Sequence, residues 1–204
     1  IVQLDATIDK FLDYARPDHV TLTPVNLHAV VSSCVYAVQD HRELQITMSV
    51  PEDLNVLADE VELARVISNL LENARRYGKA EDTGITNVDI AAKGRENWVL
   101  VKLRDHGPGV PPEQLSNLTK PFFRGDSART AAAGAGLGLS IVDKTVQRMG
   151  GIFALANSST GGLVAHLQLQ RATDLPEGAD PKQRLQRPSV KRQLPRRRAE
   201  DRMA

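Results

Sequence analysis

The sequence predicts an α/β protein, a two-layer sandwich in which a mixed sheet of about five strands is covered on one face by about three helices, the other face open or packed on partner helices. Three observations point there. Segments with helical apolar spacing alternate with short runs rich in β-branched residues. The strongest helix signal, starting at Asp59, has both a capping signal and a long apolar face. Two strand-like runs at the end of the patterned region are separated by a turn-rich segment, as in a hairpin.

The elements follow in order. Residues 1–16 (IVQLDATIDKFLDYAR) place Leu4, Ile8, Phe11, Leu12 and Ala15 at helical spacing, and Pro17 stops them. The pattern is already under way at residue 1, so a fragment of a longer helix is expected. A second helix is expected over 26–39, a strand over 45–50, a turn over 51–55 and a short strand over 56–58. Asp59 with Glu62 forms a capping box, and Leu63, Val66, Ile67, Leu70, Leu71 and Ala74 make the apolar face of a helix that runs to Gly78. Strands are expected over 88–92 and 98–103. A loop dense in Gly and Pro spans 105–112, and a short helix lies around 113–118. Residues 126–133 are small and polar. A helix over 137–149 follows a glycine cluster and ends at Gly150-Gly151. Strands over 152–156 and 163–169 close a hairpin across 157–162.

Beyond Gln170 the pattern collapses. Residues 171–204 contain four prolines and scattered Ala and Leu, too little apolar surface to offset chain entropy, so a disordered tail is expected. It holds ten basic and five acidic residues, so it contributes +5 to a chain whose net charge is only +1. A run such as Arg196–Arg198 could meet nucleic acid or an anionic membrane, but a solvated extension is the plainer expectation, and no nucleic-acid partner is expected. The single cysteine, Cys34, excludes an internal disulfide and is expected as a small buried apolar residue. No apolar stretch approaches the roughly 18 residues of a membrane span, and the opening residues are not expected to act as a signal peptide.

Four segments carry chemistry: NLLENARRYG (69–78), DHGPGV (105–110), PFFRG (121–125) and GAGLGLSIV (134–142). Gly134, Gly136 and Gly138 stand before or at a helix start, where backbone N–H groups and the helix dipole can seat a phosphate. A glycine hinge feeding a packed helix would look the same. Asn69 and Asn73 share a helix face one turn apart, with Arg76 and Tyr77 further along. Asn is poor inside helices, and its amide oxygen suits a phosphate-bound Mg²⁺; an exposed polar face is the alternative. Asp105 ends a strand and opens a Gly-Pro-Gly loop. Its carboxylate could accept a hydrogen bond from an exocyclic amine, with Gly107 and Gly109 leaving room for a flat ring, or it could simply cap a turn.

Taken together and in this order, the four segments resemble the N, G1, F and G2 boxes of sensor histidine kinases, notably the EnvZ-type osmosensors. The wider superfamily includes gyrase, Hsp90 and MutL, which share the Bergerat ATP-binding fold. The resemblance covers roughly residues 17–170, and residues 1–16 resemble the end of the family's dimerisation helix. It implies a catalytic ATP-binding domain that uses ATP and Mg²⁺. Asp105 would bind the adenine amino group, with Gly107, Gly109 and Val110 beside the base. Asn73 would hold Mg²⁺, and Asn69 would help shape that site. Arg76 and Tyr77 would line the phosphate and nucleoside side. Gly134, Gly136, Leu137 and Gly138 would bring amides to the phosphates. Residues 119–135 would form a mobile lid tethered by Phe122 and Phe123, with Arg124 near the nucleotide.

Position 69 bears on the reaction. Where ATP-hydrolysing relatives carry a Glu that activates water, this chain has Asn69, which cannot act as a base, and Glu72 lies about 100° around the helix from Asn73. The resemblance therefore implies transfer of the γ-phosphoryl to a histidine rather than hydrolysis. None of His19, His28, His41, His106 and His166 sits in the family's phosphoacceptor box, so the acceptor helix is expected upstream of residue 1, in an inner-membrane kinase of which this is a cytoplasmic part. The implied partners are the dimerisation helices, a response regulator and a second kinase copy. Two other readings stand beside it: a nucleotide-binding module without turnover, and a gyrase- or Hsp90-like ATPase.

Overall fold

Burial along the strand Trp98–Asp105 shows how the sheet is used. Val99, Val101, Leu103 and Asp105 are buried, while Leu100 and Lys102 between them are exposed. Period-two burial of this kind belongs to a strand with helices on one face and water on the other. The computed structural model describes residues 19–80, 83–123 and 136–172. Its elements are β1 (Thr23–Asn26), α1 (Leu27–Ala37), β2 (Leu44–Ser49), β3 (Asn55–Ala58), α2 (Glu60–Tyr77), β4 (Thr86–Gly94), β5 (Trp98–Asp105), a 3-10 turn (Pro112–Asn117), α3 (Gly138–Arg148), β6 (Ile152–Asn157) and β7 (Leu163–Gln170).

The main sheet has five strands in the order β2-β4-β5-β7-β6. β2 runs parallel to β4 and the other pairs are antiparallel, so the sheet is mixed as expected. All three described helices contribute to one core with β2, β4, β5 and β7, which bears out the two-layer α/β sandwich. The short strand expected over 56–58 does not join that sheet. As β3 it pairs antiparallel with β1, a strand the periodicity did not indicate, in register Thr23↔Ala58 to Asn26↔Asn55. Arg171 and Ala172 continue beyond β7 and pair with the other edge of β3, through the Val56↔Arg171 bridge and an Ala172 N–H bond of 3.1 Å to the Asn55 carbonyl. Ordered pairing thus extends two residues past the boundary read at Gln170. The helix expected over 113–118 is a 3-10 turn.

Helix α2 starts where its chemistry says. The Asp59 carboxylate accepts from the Glu62 N–H at 3.2 Å and, on its other oxygen, from the Thr21 N–H at 3.0 Å. Its inner face buries Leu63, Val66, Ile67, Leu70, Leu71 and Ala74. Each fully buried aliphatic side chain contributes about 1.5–3 kcal/mol, which holds the helix to the sheet and sets the rotation of its polar face. Helix α1 is capped by Asn26, whose side chain accepts from the Ala29 N–H at 2.8 Å. Cys34 is buried on α1, as expected, and burial raises its thiol pKa above the ordinary value. Among the described residues no helix is long and apolar enough to cross a membrane.

The helical reading of residues 1–16 lies outside the described residues, as do Arg124, Gly134 and the lid read over 119–135, from residue 124 on. The tail lies outside them from residue 173 on.

Candidate functional site

Asp105 closes β5 on the covered face and is 7 % exposed. Its Oδ1 accepts from the Gly107 N–H at 3.0 Å and from the Leu163 N–H at 3.1 Å. Both bonds reach the same oxygen, and among the described residues Oδ2 takes no hydrogen bond. Burial raises the carboxyl pKa, an effect opposed by those two backbone donors and by the nearby His106 and Arg104. Asp105 also lines a cavity, and its Oδ2, with no partner among the described residues, is an acceptor suited to an N–H donor.

That cavity is a small cleft, open in part to solvent. Leu70, Asn73 and Ala74 line it from α2, Leu103 and Asp105 from β5, Leu139 from α3, and Leu155, Leu163 and Ala165 from β6 and β7. Asn73 and Asp105, 32 residues apart in sequence, therefore face one apolar-walled space. Among the described residues the Asn73 amide has no hydrogen-bond partner, whereas the Asn69 amide donates to the Arg65 carbonyl at 3.0 Å. A Cβ on Gly138 would lie 3.7 Å from Asn69 Oδ1, so Asn69 looks onto the start of α3.

The outer flank of α2 is a charge cluster. The Glu72 carboxylate receives Arg75 at 2.8 and 3.0 Å and also Arg76. Burial pulls the Glu72 pKa up, but the hydrogen bonds and charges of the two arginines outweigh it and hold it at about 2. Glu72 is a paired anion and does not line the cavity, so it is not a base for water at this site. Arg76, expected on the phosphate side, pairs with Glu72 instead of lining the cavity, and Tyr77 lies beside it, 37 % exposed.

The loop after Asp105 is pressed between α2 and the β6–β7 hairpin. A Cβ on Gly107 would lie 2.6 Å from Gly78 Cα, so the two glycines let the end of α2 touch the loop. The hairpin comes closer still: a Cβ on Gly162, at φ +87°, would lie 1.8 Å from the Asp105 carbonyl oxygen. Val110 is held on both backbone atoms by Asn157, whose Oδ1 accepts from its N–H at 3.0 Å and whose Nδ2 donates to its carbonyl at 2.6 Å. His106, next to Asp105 in sequence, leaves the cavity and bonds Asp89 of β4 at 2.7 Å. At the other side the Phe122 N–H donates to the Gly136 carbonyl at 3.0 Å, joining the two ends of the segment 124–135, and the Phe122 ring itself is exposed. Phe123 lies next to that junction, and Leu137 is buried at the entry to α3. Among the described residues no group of three or more His, Cys, Asp and Glu side chains could hold a metal.

The motif reading thus places Asn73 and Asp105 on one cavity, Asn69 and Gly138 facing each other, and Gly107, Gly109 and Val110 on one loop. It missed Gly78, Asn157, Gly162 and Leu163. The Ser-Ser-Thr-Gly-Gly run signalled a hairpin turn, but nothing local said which loop that turn would hold.

Residues 58–173 match the family described as histidine kinase-, DNA gyrase B- and HSP90-like ATPases. The chain is 34 % identical over 135 residues to the signal transduction histidine-protein kinase BaeS of Escherichia coli (strain K12), covering 66 % of this chain and 28 % of BaeS. The chain is also similar to the solved mycobacterial sensor histidine kinase MprB, at 26 % identity and a TM-score of 0.64, over 73 % of this chain and 98 % of that one. Full-length ShkA, solved in complex with AMPPNP, shares the fold with a TM-score of 0.71 at 24 % identity, over 85 % of this chain and 37 % of that one. The chain spans less than half the length of the first curated relatives it matches. It belongs to the family of histidine kinase-, DNA gyrase B- and HSP90-like ATPases, as a catalytic ATP-binding domain of the histidine kinase type.

Proposed function

We propose that this domain binds Mg-ATP and transfers the γ-phosphoryl group to a histidine on a dimerisation helix outside this chain, for relay to an aspartate of a response regulator. The observation that carries the reading is the shared cavity of Asn73 and Asp105. Asp105 Oδ2 would accept from the adenine amino group, with Leu103, Leu163 and Ala165 beside the ring. Asn73 fits a magnesium ion, because its amide is unengaged among the described residues and offers a neutral hard oxygen; the ion would neutralise phosphate charge. Asn69, Gly136, Leu137, Gly138 and, beyond the described residues, Gly134 and Arg124 would surround the phosphates at the start of α3. The protein's contribution is positioning and charge compensation rather than covalent chemistry.

Transfer is favoured over hydrolysis by two features. Asn69 cannot deprotonate water, and the Glu72 carboxylate is committed to Arg75 and Arg76. The test mixes this chain with a protein carrying the acceptor helix pair and γ-labelled ATP. Label on the acceptor histidine, lost in Asn73→Asp and Asp105→Asn, is the expected result. Tight ATP binding with no transfer to any such partner would mean a binding module. Steady phosphate release by the isolated chain would mean an ATPase.

A further inference from the structure

We infer that Asn157 is the positioning residue for purine recognition: its side-chain amide clamps the loop that carries Asp105. The inference rests on the ATP-binding reading above and assigns a task to a residue outside the cavity wall. Asp105 and Val110 bracket the loop His106-Gly107-Pro108-Gly109, and the β6–β7 hairpin grips it at both ends. At the first end the Leu163 N–H holds Asp105 Oδ1 at 3.1 Å, and from the open face of the sheet Arg104 holds Thr160 Oγ1 at 2.6 Å and the Gly161 carbonyl at 2.8 Å. At the far end Asn157 takes both backbone groups of Val110, at 3.0 and 2.6 Å.

His106 and Gly107 are held from β4, Asp105 and Gly78, but the second half of the loop, Pro108–Val110, has little else. Pro108 has no N–H, and among the described residues the hydrogen bonds to the backbone of Pro108–Val110 all come from Asn157. The place of Gly109 fits the same role. A Cβ there would lie 2.8 Å from Asn157 Oδ1, so the missing side chain makes room for the clamping amide. A primary amide suits the task because it accepts and donates on one plane, as the Val110 N–H and carbonyl require. Asp could accept but not donate, and Ser is shorter by one atom. The clamp acts on the loop that carries the base-reading carboxylate, so it should govern which purine binds rather than how the triphosphate is held.

The experiment uses the full chain with Mg-ATP and Mg-GTP as probes, read by calorimetry, and hydrogen exchange at the Val110 amide. In Asn157→Ala the Kd for ATP should rise about tenfold, the scale of two lost hydrogen bonds, while the weaker GTP affinity stays within about twofold. Selectivity therefore collapses, and Val110 exchange speeds up without nucleotide present. Asn157→Asp, of the same size, should show the same collapse, and it serves if the alanine variant loses its fold. Equal weakening of ATP and GTP would indicate a merely structural residue and overturn the inference, as would an unchanged ATP Kd. Failure of the wild-type chain to bind ATP would instead overturn the function proposed above, an outcome the wild-type titration separates from the variant result.

Discussion

Replacing Gly162 with alanine tests the contact on which the site depends. The residue sits at φ +87°, where an L side chain costs about 1–2 kcal/mol. Its new Cβ would lie 1.8 Å from the Asp105 carbonyl oxygen. The obstructing atom is backbone, so no rotamer change relieves the clash and the hairpin must lift. The next residue, Leu163, then loses its 3.1 Å bond to Asp105 Oδ1. A hydrogen bond to a charged group is worth about 1.5–3 kcal/mol, and the loss leaves a buried carboxylate with one donor fewer. Together these give a destabilisation of about 2.5–5 kcal/mol, a large share of the roughly 5–15 kcal/mol that a domain has. Urea unfolding of wild type and Gly162→Ala measures it, and titration with Mg-ATP under folding conditions should show affinity reduced by more than about tenfold. A midpoint shift worth less than about 1 kcal/mol with unchanged ATP affinity would mean that the hairpin does not press on Asp105.

Asp105→Asn should stabilise the chain while abolishing ATP binding. Burial holds the Asp105 pKa above its unfolded value, so the stability linked to that group is present at low pH and lost as pH rises through the folded value. Thermal scans should therefore show a gain for the variant at pH 7 and little at pH 4. Glu72 behaves in the opposite sense: its pKa is held at about 2 against a reference of 4.5, so its contribution is present above pH 4.5 and fades as pH falls toward 2. Glu72→Gln should flatten that part of the acid-unfolding curve, at a cost near neutral pH of roughly 0.5–1 kcal/mol because the side chains are partly solvated. Asp59→Ala removes the acceptor for both Thr21 and Glu62 and should cost about 1–2 kcal/mol by denaturant titration.

Local signals were legible where the physics is local. The start of α2 was marked by Asp59 and Glu62, its face by the apolar spacing, and its end by Gly78, and all three hold within a residue. The hairpin of β6 and β7 followed from two short apolar runs separated by a turn-rich, glycine-containing segment. Strand β1 was not legible, because four residues including Pro24 have no periodicity of their own and become a strand only by pairing with β3. Asn73 and Asp105 stood out because an unusual residue in a helix and a carboxylate beside a Gly-Pro-Gly loop are locally conspicuous. Asn157 did not, since an Asn at a turn is ordinary until the chain shows what its amide holds.

Capping, spacing and motif order are read within a few residues, so most of the elements, the polar face of α2 and the family were already legible in the chain. Folding is what brings Asn73 and Asp105 to one cavity, ties Glu72 to its arginines and sets a distant hairpin against the Asp105 loop. Those are meetings between residues tens of positions apart, and they follow from how strands pair and helices pack, which no window of sequence contains.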